Sequence, residues 1–290
     1  MAFRFTRPES IDAGVRRLAG AELSAAAALL RDQDITPALR VHGARKATKR
    51  VRALVRMVRG GLAAPRFRAA NHGLRDAARG LAAARDAVVA LATFDALVPA
   101  PDPALAPVRA ALLAAAEAPA PAAGPEPLSH AAAALDRVQA ALSAALEPRA
   151  LAWDVLEDGL ADSYAGGREA MRVALAAPDD EAFHAWRKRV KDLWYQTQLL
   201  RGACEPVLAA HESLLADLGD RLGDDHDLAV LAAQPAAADL PALADLLAER
   251  RRSLRADARR LGQQIYAERP RAFLRRIAAY WRIWRTCDPA

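Results

Sequence analysis

The chain has 290 residues, 53% of them apolar but only 5% aromatic, and a formal charge of +6 from 41 basic and 35 acidic residues. That length admits one large domain or two ordinary ones, and the excess of alanine and leucine favours closely packed helices over strands. Two distant cysteines, Cys204 and Cys287, without any CxxC, argue against a disulfide framework or a cysteine zinc site, and a pI near 9.8 points to an anionic partner.

The first ten residues carry Arg4, Arg7 and Glu9 where a signal peptide needs an apolar run. No window is apolar for the ~18 residues that a membrane span requires, so the chain reads as cytoplasmic, without membrane insertion. Apolar residues recur at helical spacing over 11–30, 41–58, 74–97, 128–146, 151–175, 183–200, 208–231 and 240–284. The predicted class is therefore all-α. Breakers fall where the pattern lapses: Pro37, Gly60-Gly61 with Pro65, the prolines of 99–107, Pro178-Asp179-Asp180, Pro235 and Pro270. The stretch 99–127, rich in proline and alanine and including Pro119, Pro121, Pro125 and Pro127, reads as a poorly ordered excursion with one short helix over 107–117.

His42-x-x-Arg45-Lys46-x-x-Lys49 recurs as His184-x-x-Arg187-Lys188-x-x-Lys191, displaced by 142 positions. A second pattern, Leu81-x-x-x-Arg85-Asp86-x-x-Val89, is echoed by Leu222-x-x-x-His226-Asp227-x-x-Val230 at an offset of 141. An internal duplication follows, with a first helical bundle over 9–147, holding the 99–127 excursion, and a second over 148–286.

Positions i, i+3, i+4 and i+7 share one helix face, so each copy of the histidine motif is a cationic stripe roughly 10 Å long. On the first, His42, Arg45, Lys46, Lys49, Arg50, Arg52 and Arg56 span one side, opposite Ala44, Ala47, Val51, Leu54, Val55 and Val58. On the second, His184, Arg187, Lys188 and Lys191, with Tyr195 one turn on, oppose Trp186, Val190, Leu193 and Leu200, and Asp192 stands where the first copy has Arg50. Like charges at these spacings cost helix stability, and a solvated face usually mixes acids with bases. The segment 41–59 has no acid at all, which marks the stripe as a surface for an anion.

Neither copy has the HxxxH spacing that brings two metal ligands onto one face, and no glycine-rich phosphate loop or paired carboxylate accompanies either histidine. The reading is a binding surface with no catalytic residue, no metal and no cofactor, in which His42 and His184 donate to phosphate oxygens more strongly as pH falls. Weaker candidates are Arg68, Arg75 and Arg79 in the first half and Tyr164, Arg168 and Arg172 in the second. Asp86 and Asp227 read as structural acids that orient nearby bases, Trp281 and Trp284 as core, and the arginines of 250–285 as a solvated amphipathic face.

The segments 41–52 and 183–195 resemble the two signature helices of the CHAD domain, the histidine α-helical domain, and the Arg85-Asp86 and His226-Asp227 segments resemble its second recurring motif. The resemblance covers nearly the whole chain. It implies two pseudo-symmetric four-helix bundles that bind inorganic polyphosphate in a shared basic cavity, with each histidine helix as one wall. It also implies association with polyphosphate granules in bacteria. No CYTH-like strand or acidic metal motif flanks the repeats, so the sequence looks like a stand-alone member. Two departures concern the second half: His226 replaces the arginine usual before the aspartate, and Asp192 interrupts the stripe.

A nucleic-acid-binding helical protein is the competing class, since phosphodiester backbones attract the same charge, although Tyr195 is the sole aromatic on either basic face. A phosphate-processing enzyme would need the metal or nucleophile that the motifs lack.

Overall fold

A computed structural model of the chain describes every residue except 1, 81–85, 101, 119–124, 147–150, 238–239 and 287–290. Leu81 and Arg85 of the second motif, Pro119, Pro121, Cys287 and the join between the expected halves lie outside the described residues. Those described form eleven α-helices and no strand. The first five are α1 (Ile11–Arg31), α2 (Pro37–Met57), α3 (Ala64–Gly80), α4 (Asp86–Leu97) and α5 (Ala106–Glu117). They are followed by α6 (Pro125–Ala145), α7 (Trp153–Ala176), α8 (Asp180–Leu200), α9 (Glu205–Ala232), α10 (Pro241–Ile265) and α11 (Pro270–Thr286).

The prolines read as breakers mostly open helices. Pro37 and Pro270 each stand first in a helix, as does Pro241, which is not among those breakers; there a missing N–H costs nothing and the fixed φ suits the first turn. Thus α2 starts four residues before its apolar periodicity does. Asp179 caps α8 by accepting from the Ala182 amide at 2.7 Å, and Asp180 and Glu181 follow in its acidic first turn, where they complement the helix dipole. The predicted 240–284 helix is two in the structure, broken after Ile265 at Pro270, and the predicted 74–97 helix falls on α3 and α4, its residues 81–85 lying outside the described ones.

Helices α1, α2, α3 and α6 pack side by side as one bundle, and α7, α8, α9 and α10 as another. One continuous core runs through both, from Leu23, Val51, Leu54 and Leu135 to Leu160, Trp186, Val190 and Leu215. Burying each of these large side chains contributes on the order of 1.5–3 kcal/mol. The bundles join where α2 meets α7 and α8. A Cβ on Gly159 of α7 would fall on the Met57 carbonyl, so only glycine allows that crossing. Gln196 of α8 donates from Nε2 to the Ala53 carbonyl of α2 at 3.3 Å. Helix α11 closes the second bundle against α7, with Phe273 stacked on Tyr164 at 4.1 Å and Trp281 buried, while Trp284 is half-buried.

Within the 99–127 excursion the short helix expected over 107–117 is α5, and among the described residues it is built into the molecule, while 101 and 119–124 lie outside them. Helix α5 pairs with α4, and Phe94, Leu105, Val108 and Leu112 form a second core with Leu228, Leu231, Leu243 and Leu247 of α9 and α10. The alanine-rich composition that suggested disorder is interrupted at helical spacing by Val108 and Leu112, and that thin apolar stripe suffices for docking.

Candidate functional site

The apolar side of α2 sinks Ala44, Ala47, Val51, Leu54 and Val55 into the core, which turns the stripe outward. His42, Lys46 and Lys49 are exposed. Arg45 and Arg52 are half-buried against α3, where Arg45 Nη1 donates to the Ala78 carbonyl at 3.2 Å and Arg52 Nε to Asn71 Oδ1 at 3.4 Å. Helix α3 therefore holds two of the arginines in place while the lysines stay in solvent.

Two members of the predicted stripe have other employment. Arg50 pairs with Glu22 of α1 at 2.9 Å and covers the Phe3 ring at 5.2 Å, because the helical rotation carries it to the flank beside α1. Arg56 pairs with Asp192 of α8, tying the two bundles together. The interrupting Asp192 is 8% exposed and thus a buried counter-ion for α2, not a gap in a solvent face. Burial pushes its carboxyl up, against the opposing pull of Arg56, Arg189 and Arg52.

On α8, Lys188 is exposed, and His184, Arg187 and Lys191 are half-buried against α9. The seat is made by glycines. A Cβ on Gly219 would come within 2.9 Å of Lys191 Cε and Nζ, and one on Gly223 within 3.5 Å of Arg187 Nε, so the two bases lie along bare backbone. Lys191 sits 4.6 Å over the Trp194 ring and 3.4 Å from the exposed Asp220, and burial lowers its pKa despite that carboxylate. The His184 and His226 rings lie 4.3 Å apart. Burial, then the charges of His226, Lys188 and Arg187, pushes His184 down to about 4, so at neutral pH it is an uncharged imidazole. The buried His184 Nδ1 and Arg187 Nε have no hydrogen-bond partner among the described residues.

Tyr195 is not on this face. It is 5% exposed, edge-on to Phe3 at 6.5 Å, and burial raises its pKa. The cause is the N-terminal segment, which lies over the end of α8 and bonds the Phe5 amide to the Leu199 carbonyl at 3.0 Å. The second stripe therefore ends at Lys191.

Behind the histidine pair, Asp225 of α9, 2% exposed, accepts at 3.0 Å from both Arg251 Nε and Arg255 Nε of α10. Both arginines also bond Asp180 of α8, and Arg255 covers Phe183 at 4.2 Å. These arginines, expected to be solvated, are the latch that fixes the start of α8 against α9 and α10. Sequence periodicity could not separate them from Arg252 and Arg260, which pair locally with Glu249 and Asp257.

Pairing of Arg56 with Asp192 and of Ala53 with Gln196 makes α2 and α8 antiparallel where they meet, through their C-terminal halves. His42 lies ten residues, about 15 Å of helix, before Arg52, and His184 stands as far before Trp194. The stripes therefore extend from the crossing in opposite directions. Whether the stripes face one another is open in the sequence; here they lie end to end, with core residues at the crossing itself.

Among the weaker candidates, Arg75 adds to burial and Arg56 in lowering the Arg52 pKa, and Arg75 and Arg79 both contact Asp76, at 3.6 and 3.3 Å. Arg68 is exposed on α3. Tyr164 is fully buried, its hydroxyl 3.1 Å from the Ile265 and Glu268 carbonyls, so it is a core strut and not a ligand group. Arg168 donates to the Glu268 carbonyl at 3.4 Å, and the exposed Arg172 pairs with Glu169 at 2.6 Å, which leaves these α7 residues engaged locally. The sequence reading missed exposed Arg189, whose charge acts on Asp192, and also Trp194 and the Gly219/Gly223 seat. One signal for the seat was available: the glycines share the i, i+4 spacing of Arg187 and Lys191. Among the described residues no three metal-ligating side chains cluster, and no helix is long and apolar enough to cross a membrane.

The CHAD domain family model matches residues 15–236, a span that includes both stripes and the α9 seat. The chain belongs to the CHAD domain family. A solved relative in structure is the crystal structure of the CHAD domain from the plant Ricinus communis, with a TM-score of 0.60 over 97% of this chain and 95% of that one at 19% identity. The two CHAD domains thus share a fold across nearly their full lengths. A search of curated proteins returned no match.

Proposed function

We propose that this CHAD domain binds inorganic polyphosphate along the cationic faces of α2 and α8, as a docking module and not a catalyst. The observation that carries the reading is the acid-free α2, which presents His42, Lys46 and Lys49 to solvent while its arginines are braced by α3. Nothing within the helix neutralises that face, and a polymer with a charge on every phosphate supplies what the helix lacks, releasing counterions as it docks. Lysines serve as mobile point charges along a flexible chain, and arginine adds planar two-pronged contacts.

On α8 the ligand competes with Asp220, an exposed acid that gives way at little cost to a denser anion. The end-to-end stripes suit a long linear polymer better than a compact phosphate, and engagement of both raises the effective concentration at the second once the first is filled. Burial of Tyr195 removes one aromatic that could stack a base, and Lys191 already covers the half-buried Trp194 ring, which favours polyphosphate over single-stranded nucleic acid. In a cell, such a module would place the protein in the cytoplasm at polyphosphate granules.

The test is a calorimetric titration with polyphosphate of defined chain length, followed by competition with duplex DNA at equal phosphate concentration. Saturable binding that DNA does not reverse is the expected result. Displacement by DNA at parity would replace this reading with a general polyanion surface.

A further inference from the structure

The two copies of the second motif differ in one respect that the fold makes consequential. Where the first copy has Arg85, a permanent charge in the sequence, the second has His226, which titrates. His226 does not stand alone: its ring lies 4.3 Å from that of His184, the first residue of the α8 stripe. Both rings are half-buried, and the buried His184 Nδ1 has no partner among the described residues.

The charged groups around the pair come from three helices. On α8, Arg187 and Lys188 act on His184, with Lys191 one turn beyond; on α9, Asp225 and Asp227 act on His226. Asp180, at the start of α8, is the third acid near His226, but Arg251 and Arg255 of α10 already engage both it and Asp225. His184 is thus faced by bases, whereas His226 faces Arg187 and three acids, two of them already engaged by Arg251 and Arg255.

We propose that the His184–His226 pair takes up a proton when polyphosphate docks on α8, so that the second half of the site strengthens as pH falls. The proposal rests on the polyphosphate reading of the stripes. Without ligand, burial and the neighbouring bases keep His184 uncharged down to about pH 4 and depress His226 as well. A phosphate beside Lys188 and Arg187 reverses the local potential and favours the protonated ring, which then donates to it. Two rings at this distance share a single added charge, so the expected uptake is one proton for the pair. Because the bound state holds the extra proton, affinity rises as pH falls, by up to tenfold per pH unit between the free and bound pKa values.

The experiment compares the full chain with H226R and H226Q, titrating long-chain polyphosphate at pH 8 and pH 5.5 in buffers of different ionisation enthalpy. Circular dichroism melts establish that each variant is folded, and H184Q serves if H226R is not. Wild type is expected to bind about tenfold more tightly at pH 5.5 than at pH 8, with a buffer-dependent enthalpy. In H226R, which puts the first copy's arginine in place, tight binding at pH 8 and a flat profile are expected; H226Q loses the gain at pH 5.5. Subtracting variant from wild type removes protonation of the polymer ends. Equal pH slopes in wild type and variants would overturn the proton coupling while leaving polyphosphate binding intact. Absence of binding at either pH would overturn the underlying reading instead.

Discussion

Lys46 and Lys188 occupy equivalent places in the two motifs, both exposed, and each can be reversed without touching the core. We predict that Lys46→Glu with Lys188→Glu lowers polyphosphate affinity at least tenfold while the melting temperature stays within about 2 °C, since exposed substitutions of this kind change stability by no more than ~0.5 kcal/mol. The residue types were legible in the sequence. Their employment was not: Arg50, Arg56 and Arg251 look like Lys46 in a periodic pattern, yet each is matched to a carboxylate distant in the sequence, Glu22, Asp192 and Asp225. His211 makes the same point for pH. Packed beside Phe273 and near Arg276, it is pushed down to about 4 by burial. A base whose pKa is depressed by folding contributes stability that is complete above the unfolded value near 6.5 and is lost as pH falls toward 4. Denaturant melts should lose about 3 kcal/mol through that window in wild type relative to His211→Gln, from the ~1.4 kcal/mol carried by each pKa unit.

At the level of elements, two glycine contacts divide along different lines. Gly159 admits α7 against the backbone of α2, and no rotamer can relieve a methyl group placed there. Gly159→Ala is expected to destabilise the chain by about 3 kcal/mol, as overpacking at a rigid contact does, read as a lower denaturation midpoint with an unchanged slope. Gly219 faces only the flexible end of Lys191. Gly219→Ala should therefore leave stability level or raise it by up to ~1 kcal/mol through helix propensity, while weakening polyphosphate binding by lifting Lys191 from its seat. Helices α2 and α8 were readable because their apolar and basic sides segregate cleanly. The seat on α9 was not, since which helix lies beneath Lys191 is a tertiary fact. The Phe3 and Phe5 segment that buries Tyr195 has no helical period to announce it.

Across the whole molecule, the repeated motif made a helical protein with two similar basic helices legible, but it left their mutual orientation open. Orientation is set at the crossing by Arg56 with Asp192 and Gln196 with Ala53, single contacts that carry no periodic signal. Composition gave the short helix over 107–117 but not its docking, because a helix of alanine with two buried apolar residues looks like part of a linker. Its docking predicts a coupling between distant parts of the chain. Phe94→Ala, which opens the second core, should cost about 3–5 kcal/mol and speed amide exchange in the N-terminal turns of α10, where Leu243 and Leu247 lose their cover. The central claim is that binding resides in the α2 and α8 stripes and not in net positive charge. Calorimetric titration of polyphosphate into Lys46→Glu/Lys188→Glu and into Arg252→Glu/Arg259→Glu, two pairs of equal charge change, tests it most directly. Loss of affinity in the first pair with near wild-type binding in the second is predicted; equal losses in both would contradict it.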